Sequence, residues 1–394
     1  MKNLIMLIMT VVSLPAAAFS FWPGGAAPCN TTLQACINGS PNGEYIEIRT
    51  NGPINENIVA TGSKSLVAGN GYRPQFSAGN NVSVNSSGSS TVSVRGLTLL
   101  NGTLQIVGSG NGNNIYVTHN NVNKTNALVG AIRVYITSPN SVNIDVSYNQ
   151  VSSTFHTSAN DIGAIHIAKT LNIGDITGRV YGNTVSAVGN NSRGIMLEES
   201  MGGSIDLNVI GNEVRGGSQG GIYVTSLHNN SDIHAKVGSN ALYRHDNDYM
   251  PSGIRLLAVN GAIDGEIVNN TMVATTDGID VLPSAGASVN AYVYNNLVAY
   301  AGVGMYFSSS ATVNHDYNLV YEASSNVGYT PGPNALSVNP QIVGLQNPRL
   351  RPGSPAIDSA QSLALLALGS SPFIDADGGI RMKKKGSGAA QLDI

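Results

Sequence analysis

Arg133, His166, Met196, Tyr223, Arg255, Asp280 and Tyr306 each stand directly after the aliphatic residue of a recurring Ala-Ile, Gly-Ile or Gly-Met pair. Two residues further on come Tyr135, Ala168, Glu198, Thr225, Leu257, Leu282 and Ser308. If these phrases stack, the side chains form two files that mix rings with charges. Such a surface suits sugar faces, hydroxyls and uronate carboxylates. The same residues also read as ordinary cross-strand pairs, for example Arg255 beside Asp280, worth ~0.2–1 kcal/mol. A ligand groove and a plain solvated face are the two readings the sequence leaves.

Glycoside hydrolysis needs two carboxyl groups roughly 5 to 9.5 Å apart. Glu198 and Asp280 stand three phrases apart, about 14 Å at ~4.8 Å per layer. Glu198 and Glu199 are adjacent, and strand alternation turns them to opposite sides unless Glu199 sits in a corner. Asp161, Asp246 and Asp248 could complete a pair from loops. Lyase chemistry asks for less: a base beside a uronate carboxylate, and a cation to hold the enolate. His166, Lys169, Tyr223, Arg255 and Glu198/Glu199 are its candidates, the two carboxylates as Ca²⁺ ligands; no other metal-ligand set and no certain cofactor is read. The run Tyr243 to Tyr249 (YRHDNDY) is expected to overhang this face as a loop. Catalytic residues proper are not assigned. Arg133, Tyr135, His166, Glu198, Tyr223, Arg255, Asp280 and Tyr306 are the expected substrate-binding set.

What must hold such files is a repeat. The aliphatics of the pairs are Ile132, Ile165, Ile195, Ile222, Ile254, Ile279 and Met305, and an Asn-x-aliphatic phrase recurs at Asn120, Asn149, Asn183, Asn212, Asn240, Asn270, Asn296 and Asn318. Neighbouring positions differ by about 22 to 34 residues, a solenoid period. Alternation sends Ile222 and Val224 to one side and Tyr223 and Thr225 to the other. No amphipathic segment of helical length separates the strands, so neither a sandwich nor a βαβ sheet fits. The pattern predicts an all-β, single-stranded, right-handed parallel β-helix with three short strands per coil. Stacked Asn side chains at the turns would satisfy bent backbone, a structural role.

With their Asn ladder, residues from about Glu44 to Val343 resemble the pectin-lyase-like right-handed β-helix superfamily. That resemblance implies the fold, and polysaccharide as the partner. The phrases Asn-Thr-Asp, Asp-Asp and Gly-His-Gly of polygalacturonases are absent, which argues against a pectin-type hydrolase.

Both ends of the chain read differently. Residues 1–20 look like a secretory signal, with Lys2, apolar Leu4 to Leu14, and small residues before cleavage points after Ala18 or Ser20. The apolar run is too short to span a bilayer. In an oxidising compartment Cys29 and Cys36 are read as a disulfide, with two free thiols as the alternative. Thr32 to Asn38 reads as a short helix capping the open end, within an N-terminal cap of residues 21–43. The β-helix is expected over 44–343, including one strand across Thr91–Leu100, and a closing region over 344–394. Within that region Arg351-Pro352-Gly353-Ser354-Pro355-Ala356-Ile357-Asp358 and Asp375-Ala376-Asp377-Gly378 resemble choice-of-anchor Q proteins, exported bacterial β-helices with varied surface anchors. The sequence stops where that pattern continues, and no anchor is recognised.

Of 394 residues only 11% are charged and the net charge is −3, so nothing favours nucleic acid or acidic membranes. The expected protein is a monomer, secreted, periplasmic or on the bacterial cell surface. It binds, or by a lyase-type step cleaves, an extracellular acidic polysaccharide or cell-surface glycan. The alternative is a non-enzymatic, adhesin-like structural β-helix.

Overall fold

The computed structural model describes residues 19–88, 90–110, 112–155, 162–171, 174–189, 191–244, 252–357, 359–360, 382–383 and 391–392. The expected signal segment before Phe19, the loop carboxylates Asp161, Asp246 and Asp248, and most of the closing region after Ala360 lie outside these residues.

Three parallel sheets run the length of the molecule. The first has 12 strands, from Phe19–Trp22 to Thr312–Asp316; the second has 11, from Ile58–Ala60 to Ser325–Val327; the third has 11, from Pro53–Ile54 to Leu319–Tyr321. The chain visits them in rotation. Gly220–Ser226 of the second sheet leads to Ser231–Gly238 of the first and Ala241–Tyr243 of the third, and then to Ser252–Ala258 beside the starting strand. The result is a parallel β-helix.

Alternation fills its interior. Ile165, Ile195, Ile222, Ile254, Ile279 and Met305 follow one another in register and are fully buried. Each such side chain contributes ~1.5–3 kcal/mol. The glycine before most of them has its own cause: a Cβ on Gly194 would lie 2.5 Å from Gly221 O, and one on Gly278 2.3 Å from Gly304 O. Only a residue without a side chain lets the coils close at that corner.

At the turn between the first and third sheets all eight Asn residues are buried in one column. Asn149 shows the pattern. Its Nδ2 donates to Asn183 Oδ1 (3.0 Å) and Val117 O (2.8 Å), and its Oδ1 accepts from the backbone N–H of Asn120 (3.0 Å). The residue before each rung is left-handed, with φ from 54° to 65°. At His119, Tyr148 and Tyr317 this costs on the order of 1 kcal/mol each, which the side-chain bonds offset. The lowest rung explains a correction. The strand expected across Thr91–Leu100 is two strands, Thr91–Arg95 and Thr98–Leu100, because Gly96 turns the chain at φ 75° and Leu97 N–H donates to Asn120 Oδ1.

The ends of the stack also differ from the expected 44–343. Phe19–Trp22 pairs in parallel with Tyr45–Ile48, and the last stacked strand is Ser325–Val327. Ile342–Gly344 instead forms an antiparallel pair with Asn347–Leu350. The helix Leu33–Gly39 starts at Thr32, whose Oγ1 accepts from Ala35 N–H, and buries Leu33, Cys36 and Ile37. Glu56 accepts from the N–H groups of Leu33 and Gln34, placing a carboxylate where the helix is electropositive. Cys29 and Cys36 are joined by a disulfide. Among the described residues no helix is long and apolar enough to cross a membrane.

Candidate functional site

On the outer side of the second sheet, Arg133, His166, Met196, Tyr223, Arg255, Asp280 and Tyr306 are successive register partners. Tyr135, Ala168 and Glu198 form the parallel file. An open surface along the whole row is not what the structure holds. His166, Met196, Tyr223 and Asp280 are buried, as is Thr225. The row is unevenly exposed, and the hydrogen-bonded members of the expected binding set fall into two groups.

The first group is a chain of hydrogen bonds across three consecutive strands, Ile132–Ile136, Ile162–Lys169 and Ser192–Glu199. Glu198 Oε2 lies 3.1 Å from His166 Nε2, and His166 Nδ1 lies 3.4 Å from Tyr135 Oη. Arg133 donates to the same phenolic oxygen from Nε (3.0 Å) and Nη2 (2.6 Å), and from Nη1 to Gln105 Oε1 (3.0 Å). The local cause is Ala168. Standing between Tyr135 and Glu198 in their file, it leaves a gap that the imidazole of the neighbouring file fills, edge-on to the Tyr135 ring. In the tautomer that carries its proton on Nε2, the imidazole donates to Glu198 and presents Nδ1 to the phenol as an acceptor. The phenolic proton can then pass to Nδ1, while two guanidinium N–H groups point at the oxygen left negative. Arg133, Tyr135 and Glu198 are each part-exposed, so the phenol end of the chain can be reached.

The second group closes on itself. Arg255 donates twice to Asp280 Oδ2 (2.9 and 2.7 Å), and Ser252 Oγ donates to the same oxygen (2.5 Å). Asp280 Oδ1 is buried without a protein partner. Burial and the Asp280 carboxylate push Asp277 up to about 6, against the opposing pull of Arg255. Tyr223 lies under the Arg193 guanidinium, 3.9 Å from its ring centre. Tyr306, at the end of the row, is exposed.

Lys169 and Glu199 must be withdrawn from the lyase candidates. Both are fully buried. Lys169 Nζ donates to Leu171 O (2.5 Å) and Gly202 O (2.6 Å), and Glu199 Oε1 accepts from Met201 N–H. Burial lowers the Lys169 ammonium, against the pull of Glu199 and Asp175. Because Glu198 is held by His166 and Glu199 is enclosed, the two cannot share a Ca²⁺, and the donor set expected for that ion does not fit this face. Of the run from Tyr243, the described Tyr243 is a buried residue of the third sheet, its hydroxyl donating to Glu213.

Sequence reasoning passed over the outer side of the first sheet. Asp206, His234, Asp264 and Asn290 are register partners there, with Lys236, Glu266 and Tyr292 in the next file. The alternation Asp232-x-His234-x-Lys236 followed by Asp264-x-Glu266 was the available signal.

No family model and no curated protein matches the chain. Among solved structures, pectate lyase Pel9A aligns over 87% of this chain and 91% of its own, with 12% identity and a TM-score of 0.51. The Dettilon tailspike protein gp208 aligns over 75% and 68%, with 13% identity and a TM-score of 0.30. A PL6-family polysaccharide lyase from Pseudopedobacter saltans aligns over 84% and 99%, with 12% identity and a TM-score of 0.22. The likeness to Pel9A agrees with the parallel β-helix seen in the chain itself. At 12% identity the likeness to Pel9A speaks to architecture alone.

Proposed function

We propose that this protein binds an acidic polysaccharide along the outer face of the second sheet and cleaves it by β-elimination. The observation that carries this reading is the unbroken series Glu198–His166–Tyr135–Arg133, which gives one phenol a proton acceptor on one side and a cation on the other. Tyr135, its proton handed to His166 Nδ1, takes the proton beside the uronate carboxylate. Electrons from that C–H bond form the double bond, the glycosidic oxygen leaves, and the proton returns to it through Tyr135. Arg133 faces the charge that develops on the carboxylate. Part-exposed Arg255 and exposed Tyr306 extend the binding face toward the C-terminal coils, with buried Tyr223 and Asp280 supporting it from beneath.

In the same reading the solenoid is right-handed, with three strands to a coil and the helix Leu33–Gly39 as its cap. The protein is exported by residues 1–20 and acts as a monomer outside the cytoplasm. Cleavage after Ala18 leaves the strand Phe19–Trp22 whole, whereas cleavage after Ser20 would halve it. Residues 344–394 close the C-terminal end, in keeping with their resemblance to choice-of-anchor Q proteins.

The test is the absorbance of newly formed unsaturated uronate on a panel of acidic polysaccharides, with wild type and Tyr135→Phe. Signal on at least one polymer, lost by about 10²-fold or more in the variant, is the expected result. A silent wild type that still retards a polysaccharide in affinity gels would leave the adhesin-like reading in place of the enzymatic one.

A further inference from the structure

The first sheet carries its own unassigned cluster, on a different face from the proposed catalytic chain. His234, at the middle of Ser231–Gly238, has a carboxylate on each side: Asp232 Oδ2 is 3.3 Å from its Nε2, and Asp264 Oδ2 on the next coil is 3.6 Å from its Nδ1. One donor atom from each of the three residues lies within 4.8 Å of the other two. Four-coordinate zinc has bonds of about 2.0–2.2 Å, which places neighbouring donors roughly 3.3–3.5 Å apart. The two separations run to different ring nitrogens, so only one of them is a ligand–ligand edge of a single site, and it falls close to that length. Asp264 is also aimed: Asn290 Nδ2 donates to its Oδ1 (2.9 Å), leaving Oδ2 turned to the imidazole, the kind of outer support that orients metal ligands.

A cavity of about 520 Å³ opens over His234 and Asp264 and is lined as well by Asp206, Lys236, Glu266 and Tyr292. Its charge asks for a cation. Asp206 follows His234 in register on the other side and adds a carboxylate to the lining beyond the two within ion-pair distance of the imidazole. Lys236 lies 3.7 Å from Glu266. Glu266 Oε2 has no partner. Lys236 offsets one of the lining carboxylates, and the others leave the cavity net negative.

We infer that Asp232, His234 and Asp264 bind a divalent transition-metal ion of the zinc class, with water from the cavity completing its coordination. An imidazole in the set, with only two carboxylates beside it, matches zinc-like ions and not Ca²⁺, which takes six to eight oxygens. The ring gives one nitrogen, which with one oxygen from each carboxylate makes a donor set already within 4.8 Å. The three side chains are each about half exposed, so they can adjust and can be replaced without disturbing the core.

Isothermal titration of the intact, tag-free chain with zinc chloride tests this, with calcium chloride as the control and thermal melts of each variant to establish folding. One zinc per chain, no comparable heat with calcium, and at least tenfold weaker zinc binding in both His234→Ala and Asp264→Asn are expected. Absence of zinc binding, undiminished binding in the two folded variants, or calcium binding as tight as zinc would each overturn the assignment. Uronate release by the second-sheet face is read in a separate assay, so failure here leaves that proposal standing.

Discussion

The two halves of the second sheet's outer face are built on one register yet end in opposite chemistry. Toward the N-terminal coils, Glu198, His166, Tyr135 and Arg133 form a series whose last members remain part-exposed. Toward the C-terminal coils, three donors converge on Asp280 Oδ2, and the ion pair spends its hydrogen bonds internally. The difference teaches that charge in a file is no measure of reactivity. What counts is whether a polar series stops at solvent or folds back into the wall.

Variants can press on this contrast. The largest effect is expected from His166→Ala, which removes the proton acceptor and should lower turnover by about 10²–10⁴-fold, read as unsaturated uronate release per folded molecule because loss of a buried ring also lowers the melting temperature. If the rate survives, the first half is no more catalytic than the second. Asp280→Ala should do the reverse. It strands a part-buried guanidinium and costs on the order of 3–5 kcal/mol in urea unfolding, while turnover per folded molecule holds. Ala168→Leu is a finer probe, because it touches no polar group yet fills the gap that the imidazole occupies; a rate loss of about tenfold or more, equal to ~1.4 kcal/mol, is expected, with His166 displaced in a crystal structure. The smallest effect belongs to Asp277. Its folded-state value of about 6 lies above the ordinary 3.8, so the native chain holds the extra proton between these values and stability falls as pH rises through that window. Asp277→Asn should therefore stabilise the protein at pH 7 by about 1 kcal/mol, the full shift being discounted for a half-exposed group. The gain should vanish near pH 4 in parallel melts.

The stacking was legible because it depends on small, repeated differences in position. Ile195, Ile222 and Ile254 could be counted into one column from their glycine partners, and the Asn column from its spacing. The functional face was half legible for the same reason: the register of Arg133, His166 and Glu198 follows from counting, whereas their hydrogen bonding depends on the missing side chain at Ala168. Burial of Tyr223 and Asp280 was hidden because an outward position on a strand says nothing of what packs over it. Glu199 is a different case. Alternation placed it opposite Glu198, and only the enclosed corner beside Lys169 shows why it is lost to chemistry. The acidic group on the first sheet was missed through attention to one strand type, although its alternating charges could have been aligned by the same subtraction.

The column of asparagines has a direction. From Asn120 to Asn296 every side-chain amide gives its N–H to the rung that follows in the chain, and Asn318 ends the sequence with its Nδ2 on Val293 O. A loop may therefore grow or shrink between rungs without disturbing the column, as the unequal 22- to 34-residue separations already show. Removing one full circuit brings a donor to an acceptor of the same kind, whereas removing part of one leaves two amides facing nothing. Whole circuits are thus the increments by which such a molecule can be lengthened or pared without reopening its wall.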